Sequence, residues 1–264
     1  MTKKREKSEY TIQSVINALE LLEQFKGDIH ELGVTELSKR LGLHKNNVFR
    51  LLATLESKGY IEQNKLNENY KLGVKCLELG QNYLKHTGLL RQARPIMEEV
   101  VEKCDENVYL SVLRGQKVVY IDVVEANQAV RVVSRIGAQL PPYCCASGKA
   151  QIAALQDLGE DIEKYINMPL KPITANTITK IDQLLKELEE IKEKGYAIDD
   201  EEVDVGVRCV GAAIRDYTKR VIGAISISGP VNRMSFERIE NELGPLIVDA
   251  ARRISEKLGY FIDV

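Results

Sequence analysis

The chain has 264 residues, of which 44% are hydrophobic and 29% charged, a composition that indicates one or two folded domains and excludes low-complexity and collagen-like sequences. Its net charge of -2 is unevenly distributed, because residues 1–75 hold 13 Lys and Arg against 10 Asp and Glu, whereas the remainder holds 24 against 29. No apolar run approaches the roughly 18 residues that cross a bilayer, and no signal-peptide pattern follows the polar start, so we expect a cytoplasmic protein without membrane contact.

The first predicted helix covers residues 11–25, where apolar residues recur at helical spacing. The polar stretch that follows, up to Gly33, ends it. The apolar residues form a stripe along one side of the helix. The stripe consists of Ile12, Val15, Ile16, Leu19, Leu22 and Phe25.

Two further helices joined by a tight turn follow. Thr35 is placed to cap a helix over residues 36–41, and Gly42 supplies the flexible turn position. The second helix covers residues 45–58 and ends at Gly59. One face of this second helix is apolar and is predicted to be buried, since it carries Val48, Leu51, Leu52 and Leu55.

The opposite face of the second helix is polar and basic, as a DNA major groove requires. We predict that Lys45 and Arg50 bind phosphates or guanine. Asn46 and Asn47 can each make paired hydrogen bonds to adenine and are predicted to read base edges. The segment therefore indicates a DNA-binding helix.

A predicted hairpin follows this helix, with short strands at 60–64 and 69–72. The order helix, turn, helix, hairpin is that of a winged helix-turn-helix, which makes two ordinary packed helices an unlikely alternative. Lys65 on the wing is predicted to reach an adjacent groove, and Thr35 and Ser38 to contact backbone phosphates. We predict a DNA-binding domain over residues 9–73.

The second part of the chain reads as an α+β domain over residues 91–264, joined to the first by a linker helix at 74–90. Antiparallel hairpins alternate there with amphipathic helices, the pattern of helices packed on an antiparallel sheet. The predicted strands lie at 108–124 (a hairpin), 130–136 and 210–228 (a second hairpin), and the helices at 91–104, 147–155, 179–194 and 235–258.

The second part contains no histidine, because all three histidines precede residue 90. This excludes Ser-His-Asp and Cys-His catalysis there, and no phosphate-binding glycine motif is present. We predict no enzymatic activity, no catalytic residue, no cofactor and no metal. The five cysteines show no CxxC spacing and are expected to be reduced, with a metal site at Cys144, Cys145 and Cys209 or a redox switch at Cys144 and Cys145 as less favoured alternatives.

Two segments have features of a small-molecule site. In residues 140–150, prolines and small residues lead into a helix start near Ser147, where free backbone N–H groups would bind a carboxylate or phosphate. A plain capped helix is the alternative there. Residues 199–209 carry six charged side chains, for which a solvated loop is the alternative, and Ser226 and Ser228 share one face of a strand.

Several ordered motifs show that the chain resembles the IclR family of bacterial transcriptional regulators over nearly its full length. The motifs are more specific together than any one alone. They lie at residues 51–60, 70–73, 140–141, 146–150, 195–202, 206–209 and 225–230.

The resemblance implies an N-terminal winged helix-turn-helix, a linker helix and a C-terminal GAF-like α+β effector-binding domain. It also implies homodimers, often paired into tetramers, that bind double-stranded operator DNA and a small organic acid. Carried over motif by motif, it implies an effector pocket lined by Leu140, Cys145, Ala146, Ser147, Asp199, Val207, Cys209, Ser226 and Ser228.

The chain departs from the family at the start of the recognition helix. His44-Lys-Asn-Asn-Val-Phe-Arg50 stands where Pro-Lys-Ser-Thr-Val-His-Arg is frequent, so the operator is expected to differ. Tyr143 and Cys144 replace the usual His-Ala beside the pocket. We predict a transcriptional repressor controlled by a sugar acid or keto acid; the alternative is a small-molecule, metal or redox sensor whose first domain binds a partner other than DNA.

Overall fold

The computed structural model describes residues 11–25, 29–86, 88–133 and 136–260. The chain divides into two compact units, the first ending at His86 and the second beginning at Thr87. The division lies within the segment 74–90, because one helix ends at His86 and the next begins at Gly88. No helix in the described ranges is long and apolar enough to span a membrane.

The first unit is a winged helix-turn-helix, as the sequence predicts. Its elements are α1 (Gln13–Leu22), α2 (Val34–Leu41), α3 (Lys45–Ser57), β1 (Ile61–Gln63), β2 (Tyr70–Leu72) and α4 (Val74–His86). Gly42 has a φ of 66°, in the left-handed region that glycine enters without strain, and this reverses the chain between α2 and α3. The strands β1 and β2 pair antiparallel and form the wing.

The predicted cap of α2 is wrong. The first helical hydrogen bond runs from the N–H of Leu37 to the carbonyl of Gly33, so the helix begins one residue before Thr35 and no side chain caps it. Thr35 lies exposed in the first turn. Its hydroxyl is therefore not engaged at the start of the helix.

The predicted apolar stripe of α1 is buried only in part. Phe25 is buried and Ile16 and Leu22 are half-buried, whereas Ile12, Val15 and Leu19 are exposed. The core of this unit is filled by side chains of α2, α3 and the hairpin, including Val48 and Leu52. The outward part of the α1 stripe is therefore an apolar surface.

The second unit is an α+β domain built on one six-stranded antiparallel sheet in the order β5-β4-β3-β8-β7-β6. Its helices are α5 (Gly88–Cys104), α6 (Ala146–Asp157), α7 (Ile181–Lys194), α8 (Phe236–Arg238) and α9 (Gly244–Lys257). Its strands are β3 (Asn107–Arg114), β4 (Lys117–Val124), β5 (Gln139–Leu140), β6 (Ala197–Asp200), β7 (Val207–Arg215) and β8 (Val221–Pro230).

The two faces of this sheet differ in chemistry because successive side chains of a strand point to opposite sides. On one face, Val108 and Leu110 of β3 and Ile225 and Ile227 of β8 pack with α5 and α9 in an apolar core. The other face carries polar residues between these positions, such as Ser226. The start of α6 lies against that polar face.

The strand predicted at 130–136 is wrong for residues 130–133 and 136, whereas positions 134 and 135 lie outside the described residues. Val130 and Val133 are exposed, and the only strand of the described residues in this region is the two-residue β5. The carbonyls of Val132 and Val133 accept hydrogen bonds from the side chains of Asn107 and Tyr109 instead of from a neighbouring strand. Side-chain donors from β3 thus hold this segment as a loop.

The predicted closing helix at 235–258 is interrupted, as its Gly244-Pro245 pair suggests. A π-helical segment, Ile239–Leu243, separates α8 from α9. Pro245 has no N–H to donate to the preceding turn, which favours an irregular turn at this point. The π segment still buries Ile239 and Leu243 against the sheet.

Candidate DNA-binding surface and effector pocket

The start of α3 has no acidic residue in its first turn and begins with a lysine, Lys45. His44 is its N-cap, and the Nδ1 atom of His44 accepts a hydrogen bond from the N–H of Asn46 at 3.4 Å. Because the N-terminal end of a helix has partial positive charge, this turn attracts phosphate.

The outer face of α3 presents its polar side chains to solvent, as predicted. The inner face is fixed by Val48 and Leu52, both fully buried. Neither cation of the outer face forms an ion pair among the residues that the structure describes. The exposed residues of the outer face are Lys45, Asn46, Asn47, Phe49 and Arg50.

The turn between α2 and α3 uses the hydroxyl of Ser38. Ser38 Oγ donates to the carbonyl of Leu43 at 2.6 Å, and the N–H of Leu43 donates to the carbonyl of Ser38 at 3.2 Å. The hydroxyl hydrogen of Ser38 is thus engaged inside the turn. Ser38 therefore stabilises the turn that orients α3. Thr35 is exposed, and its hydroxyl forms no hydrogen bond with the described residues.

The wing is held in one conformation by a carboxylate that sequence reasoning missed. Glu31 accepts hydrogen bonds from the amides of Asn64 at 2.9 Å and Asn67 at 2.7 Å. These two bonds, that of Asn67 first, lower the pKa of Glu31. The two hydrogen bonds hold the residues on either side of Lys65, whose side chain is exposed.

A groove of about 890 Å³ runs along the first unit beside α3. It is lined by α1, α3 and α4, and Asn47 and Arg50 lie along its edge. Its walls are mainly apolar, and the exposed apolar residues of α1 and α4 border it. Those that line it are Val15, Leu19 and Leu79, and Ile12, Val74 and Leu77 are further exposed apolar residues at or near the same two helices.

In the second unit, strand register places a row of polar side chains across the sheet. Asp199 of β6 pairs with Cys209 of β7, which pairs with Ser228 of β8, which pairs with Asn107 of β3. Directly paired residues project to the same face. The carboxyl, thiol, hydroxyl and amide groups of four strands therefore lie side by side.

Next to this row lies a small cavity that is lined by five of the predicted effector residues. Leu140, Asp199, Val207, Cys209 and Ser228 line it. The space that water can enter is about 10 Å³, which holds about one molecule. The remaining lining residues, none of them among the nine predicted effector residues, are Tyr109, Tyr120, Val132, Val203 and Asp204.

The two tyrosines close one side of the cavity. Their rings meet edge to face, with centroids 5.5 Å apart. They lie on β3 and β4, and a bulge between Leu110 and Ser111 shifts the register between them. Alternation along β3 predicts that Tyr109 lies on the same face as Ser226. The face of Tyr120 cannot be predicted in this way, because the bulge shifts the register between the two strands.

The other four predicted effector residues meet at the start of α6. Cys145 is the N-cap, and no side chain caps the helix, so the alternative of a plain capped helix is wrong. Gly211 lies beneath it, because a Cβ there would stand 3.1 Å from the nitrogen of Ser147 and 3.2 Å from the Cβ of Ser226. The N–H groups of Ala146 and Ser147 thus lie beside the polar row.

The acidic segment 199–209 is buried in part rather than solvated. Asp199 is 4% exposed, and its Oδ1 atom accepts a hydrogen bond from the N–H of Glu202 at 2.8 Å. The hydroxyls of Thr174 and Thr177 donate to the carbonyls of Glu201 and Glu202. These bonds hold the turn after β6 against the cavity.

A fully buried lysine, Lys149 of α6, sits behind this turn and forms ion pairs with Glu187 and Glu202. Burial alone would lower the pKa of Lys149, but Glu202 and Glu187 together raise it. Burial raises the pKa of Glu202 to about 7, against the attraction of Lys149. The Oε2 atom of Glu202 is buried and has no hydrogen-bond partner among the described residues.

The cysteines near the pocket are poor nucleophiles. Burial raises the pKa of Cys144 far above its ordinary value and that of Cys145 to about 11. Reactive thiols need an exposed setting and a lowered pKa, so a redox switch at these residues is not supported. Within the described ranges, no group of three His, Cys, Asp or Glu side chains could hold a metal ion.

Comparisons with known proteins agree with this two-part organisation. Residues 14–65 match the IclR helix-turn-helix domain, and residues 81–256 match the bacterial transcriptional regulator IclR C-terminal domain. The HTH-type transcriptional regulator KdgR of Escherichia coli K12 is 35% identical over 250 residues, which cover 95% of this chain and 94% of KdgR.

Two further proteins are similar to this chain over nearly its full length. The transcriptional repressor IclR of Escherichia coli K12 is 30% identical over 251 residues, covering 94% of this chain and 90% of the repressor. The crystal structure of Thermotoga maritima IclR has a TM-score of 0.74 and 32% identity, covering 95% of this chain and all of that one (100%). The chain belongs to the IclR family of DNA-binding transcriptional regulators.

Proposed function

We propose that this regulator binds its operator by inserting α3 into the major groove. The observation that carries the proposal is the outward, unpaired presentation of Lys45 and Arg50 on a helix whose first turn lacks acids. In this docking Arg50 binds guanine or phosphate, and Asn46 and Asn47 bind adenine edges. Lys65 and Thr35 contact backbone phosphates.

Selection from a random pool of duplexes tests this docking. The full chain is expected to enrich a sequence with two related half-sites, because a homodimer repeats its α3. Its affinity for that duplex is expected to fall with added salt as phosphate counterions are released. Failure to enrich any sequence, with binding insensitive to salt, would support the alternative of a partner other than DNA.

The apolar surface of the first unit supports a homodimer. Exposed apolar side chains on α1 and α4 border one groove, and a second copy would cover them. We propose that dimers form there, and that dimers can pair further. Sedimentation tests this: Leu19→Glu is expected to shift the protein toward monomer, whereas Leu66→Glu on the wing is not.

The effector site is proposed at the start of α6 and the cavity beside it. The uncapped N–H groups of Ala146 and Ser147 suit a carboxylate. No Lys or Arg lines the cavity in the described part of the chain, whereas Asp199 and Asp204 do. An organic acid would therefore place its carboxylate at the helix and its hydroxyl groups toward Asp199, which favours a sugar acid.

Binding of such an acid requires the cavity to widen, because its free space of about 10 Å³ is too small for an organic acid. The loop around Val132 forms one wall and is tied by the amide of Asn107 at 2.7 Å. We propose that the effector displaces this wall and shifts the population between two forms of the dimer that differ in operator affinity. Repression is the proposed sign of regulation, and the cytoplasm the proposed site of action.

A thermal-shift screen of sugar, keto and aromatic acids tests the effector proposal, followed by calorimetry of any acid that stabilises the protein. Ser228→Ala is expected to weaken binding of that acid about tenfold, the loss of one buried hydrogen bond. Lys65→Ala serves as the control and should bind it normally. Stabilisation by none of the acids, or unchanged affinity in Ser228→Ala, would contradict the proposed pocket.

A further inference from the structure

Phe49 is an apolar residue on the face of α3 that is otherwise polar. Its side chain is 56% exposed, and it belongs to no buried cluster of the first unit. It also lies outside the groove beside α1, which Asn47 and Arg50 border. The ring of Phe49 therefore packs neither in the core nor in the groove proposed as the dimer interface.

The position of Phe49 on the helix is next to the residues that read bases. Asn46 lies three residues before it, so the two side chains are neighbours on the helix surface. Arg50 lies four residues after Asn46, on the other side of it. The three side chains form one continuous strip with Asn46 in the middle.

The flank that carries Phe49 faces the wing. Glu56, two turns further along the same flank, accepts a hydrogen bond from the N–H of Gln63 in β1 at 3.3 Å. The ring therefore lies between the front of α3 and the wing, on the side away from the α1 groove. In the proposed docking, the ring would therefore lie over the edge of a base pair next to the one that Asn46 binds.

The only apolar group on the base edges in the major groove is the methyl group of thymine. An aromatic ring at this place removes that methyl group from water and leaves no polar base atom without a partner. We propose that Phe49 is a specificity-determining residue that recognises the methyl group of a thymine beside the adenine bound by Asn46. The inference rests on the proposed docking of α3 in the major groove.

The test uses a duplex selected by the wild-type chain and a set of copies in which each thymine is replaced by uracil, which lacks only the methyl group. Affinities are measured by fluorescence anisotropy at low salt, so that weak variants remain measurable. The wild type is expected to lose about 3- to 10-fold at one position in each half-site. Phe49→Ala is expected to bind the thymine and uracil copies equally.

Three variants control for other effects of the substitution. Phe49→Leu retains an apolar side chain and should keep the preference for thymine, whereas Phe49→His should lose it. Leu66→Ala removes another exposed apolar side chain, 96% exposed on the wing, and should keep the wild-type preference. Circular dichroism checks that all variants are folded, as expected for exposed positions.

The outcomes separate failure of this inference from failure of the docking. A wild type that is indifferent to every uracil, or a Phe49→Ala variant that keeps the thymine preference, overturns the role of Phe49. If Arg50→Ala also binds as tightly as the wild type, or no duplex is enriched, the docking of α3 is contradicted and this inference with it. Loss of the preference in Phe49→Ala and His, with retention in Leu, supports it.

Discussion

The two units place their charged groups in opposite ways. On α3 of the first unit, Lys45 and Arg50 are exposed and form no ion pair within the described chain. Around the cavity of the second unit, Lys149, Asp199 and Glu202 are buried and bind one another or the backbone. The first arrangement leaves charges available to a large anion, whereas the second makes the charges part of the fold.

This difference predicts which substitutions affect stability and which affect binding. A buried charge that loses its partner leaves an uncompensated charge in the interior. An exposed cation that is removed changes stability little, because solvent already screens it. Charge substitutions near the cavity should therefore destabilise the protein, and those on α3 and the wing should act only on DNA.

The largest effect is expected for Lys149→Met. It removes a fully buried cation and leaves the carboxylates of Glu187 and Glu202 facing each other. We expect a loss of roughly 3–5 kcal/mol in the free energy of unfolding at pH 8, measured by urea denaturation. Lys192→Met, which breaks a more exposed pair with Glu189 within α7, is the control and should lose less than about 1 kcal/mol. Equal losses of unfolding free energy in the two variants would contradict the proposed difference between buried and exposed charges.

A smaller effect is expected from the protonation of Glu202. Its pKa is raised from 4.5 to about 7 in the folded chain, so the folded state binds this proton more tightly than the unfolded state. The resulting stability is fully present below pH 4.5 and is lost as the pH rises to about 7. The total loss is up to roughly 3 kcal/mol.

Glu202→Gln removes this titration and should show a flatter dependence of the free energy of unfolding on pH between 5 and 8. The measurement is urea denaturation at a series of pH values. Glu189→Gln, a substitution of an exposed carboxylate, should follow the wild-type curve. Parallel curves for the wild type and Glu202→Gln would show that Glu202 titrates normally.

The smallest effect is expected for Lys65→Ala. This substitution removes one cation from the wing tip and no buried contact. The slope of log affinity against log salt should decrease by about 1, with a loss of affinity that is similar for all sequences. Lys171→Ala, exposed in the second unit, should leave the slope unchanged. A sequence-dependent loss in Lys65→Ala would instead indicate contact with a base.

The sequence predicts the first unit well because its signals are local. The spacing of Val48 and Leu52 defines the buried face of α3, and Gly42 defines the turn before it. The surface against which the apolar side of α1 packs could not be predicted in this way. A periodic stripe such as Ile12, Val15 and Leu19 shows which side is apolar, but not whether its partner is this core or another surface.

The effector pocket is less accessible to sequence reasoning because distant residues build it. Lys149 and Glu202 are 53 positions apart, and no local pattern pairs them. The loop around Val132 has the alternating character of a strand, yet Asn107 binds its carbonyl from 25 positions away. Asp199 and Ser228, which lie in the family motifs, both line the cavity, and their role in binding an effector stays a prediction.

The central claim is that the outward face of α3 is the DNA-reading surface. The most direct test compares the affinity of the wild type and Arg50→Ala for a duplex selected by the wild type. A loss of at least about tenfold, with an unchanged free energy of unfolding, is the predicted result, since one base contact contributes about 1–3 kcal/mol. Wild-type affinity in a folded Arg50→Ala variant would contradict the claim.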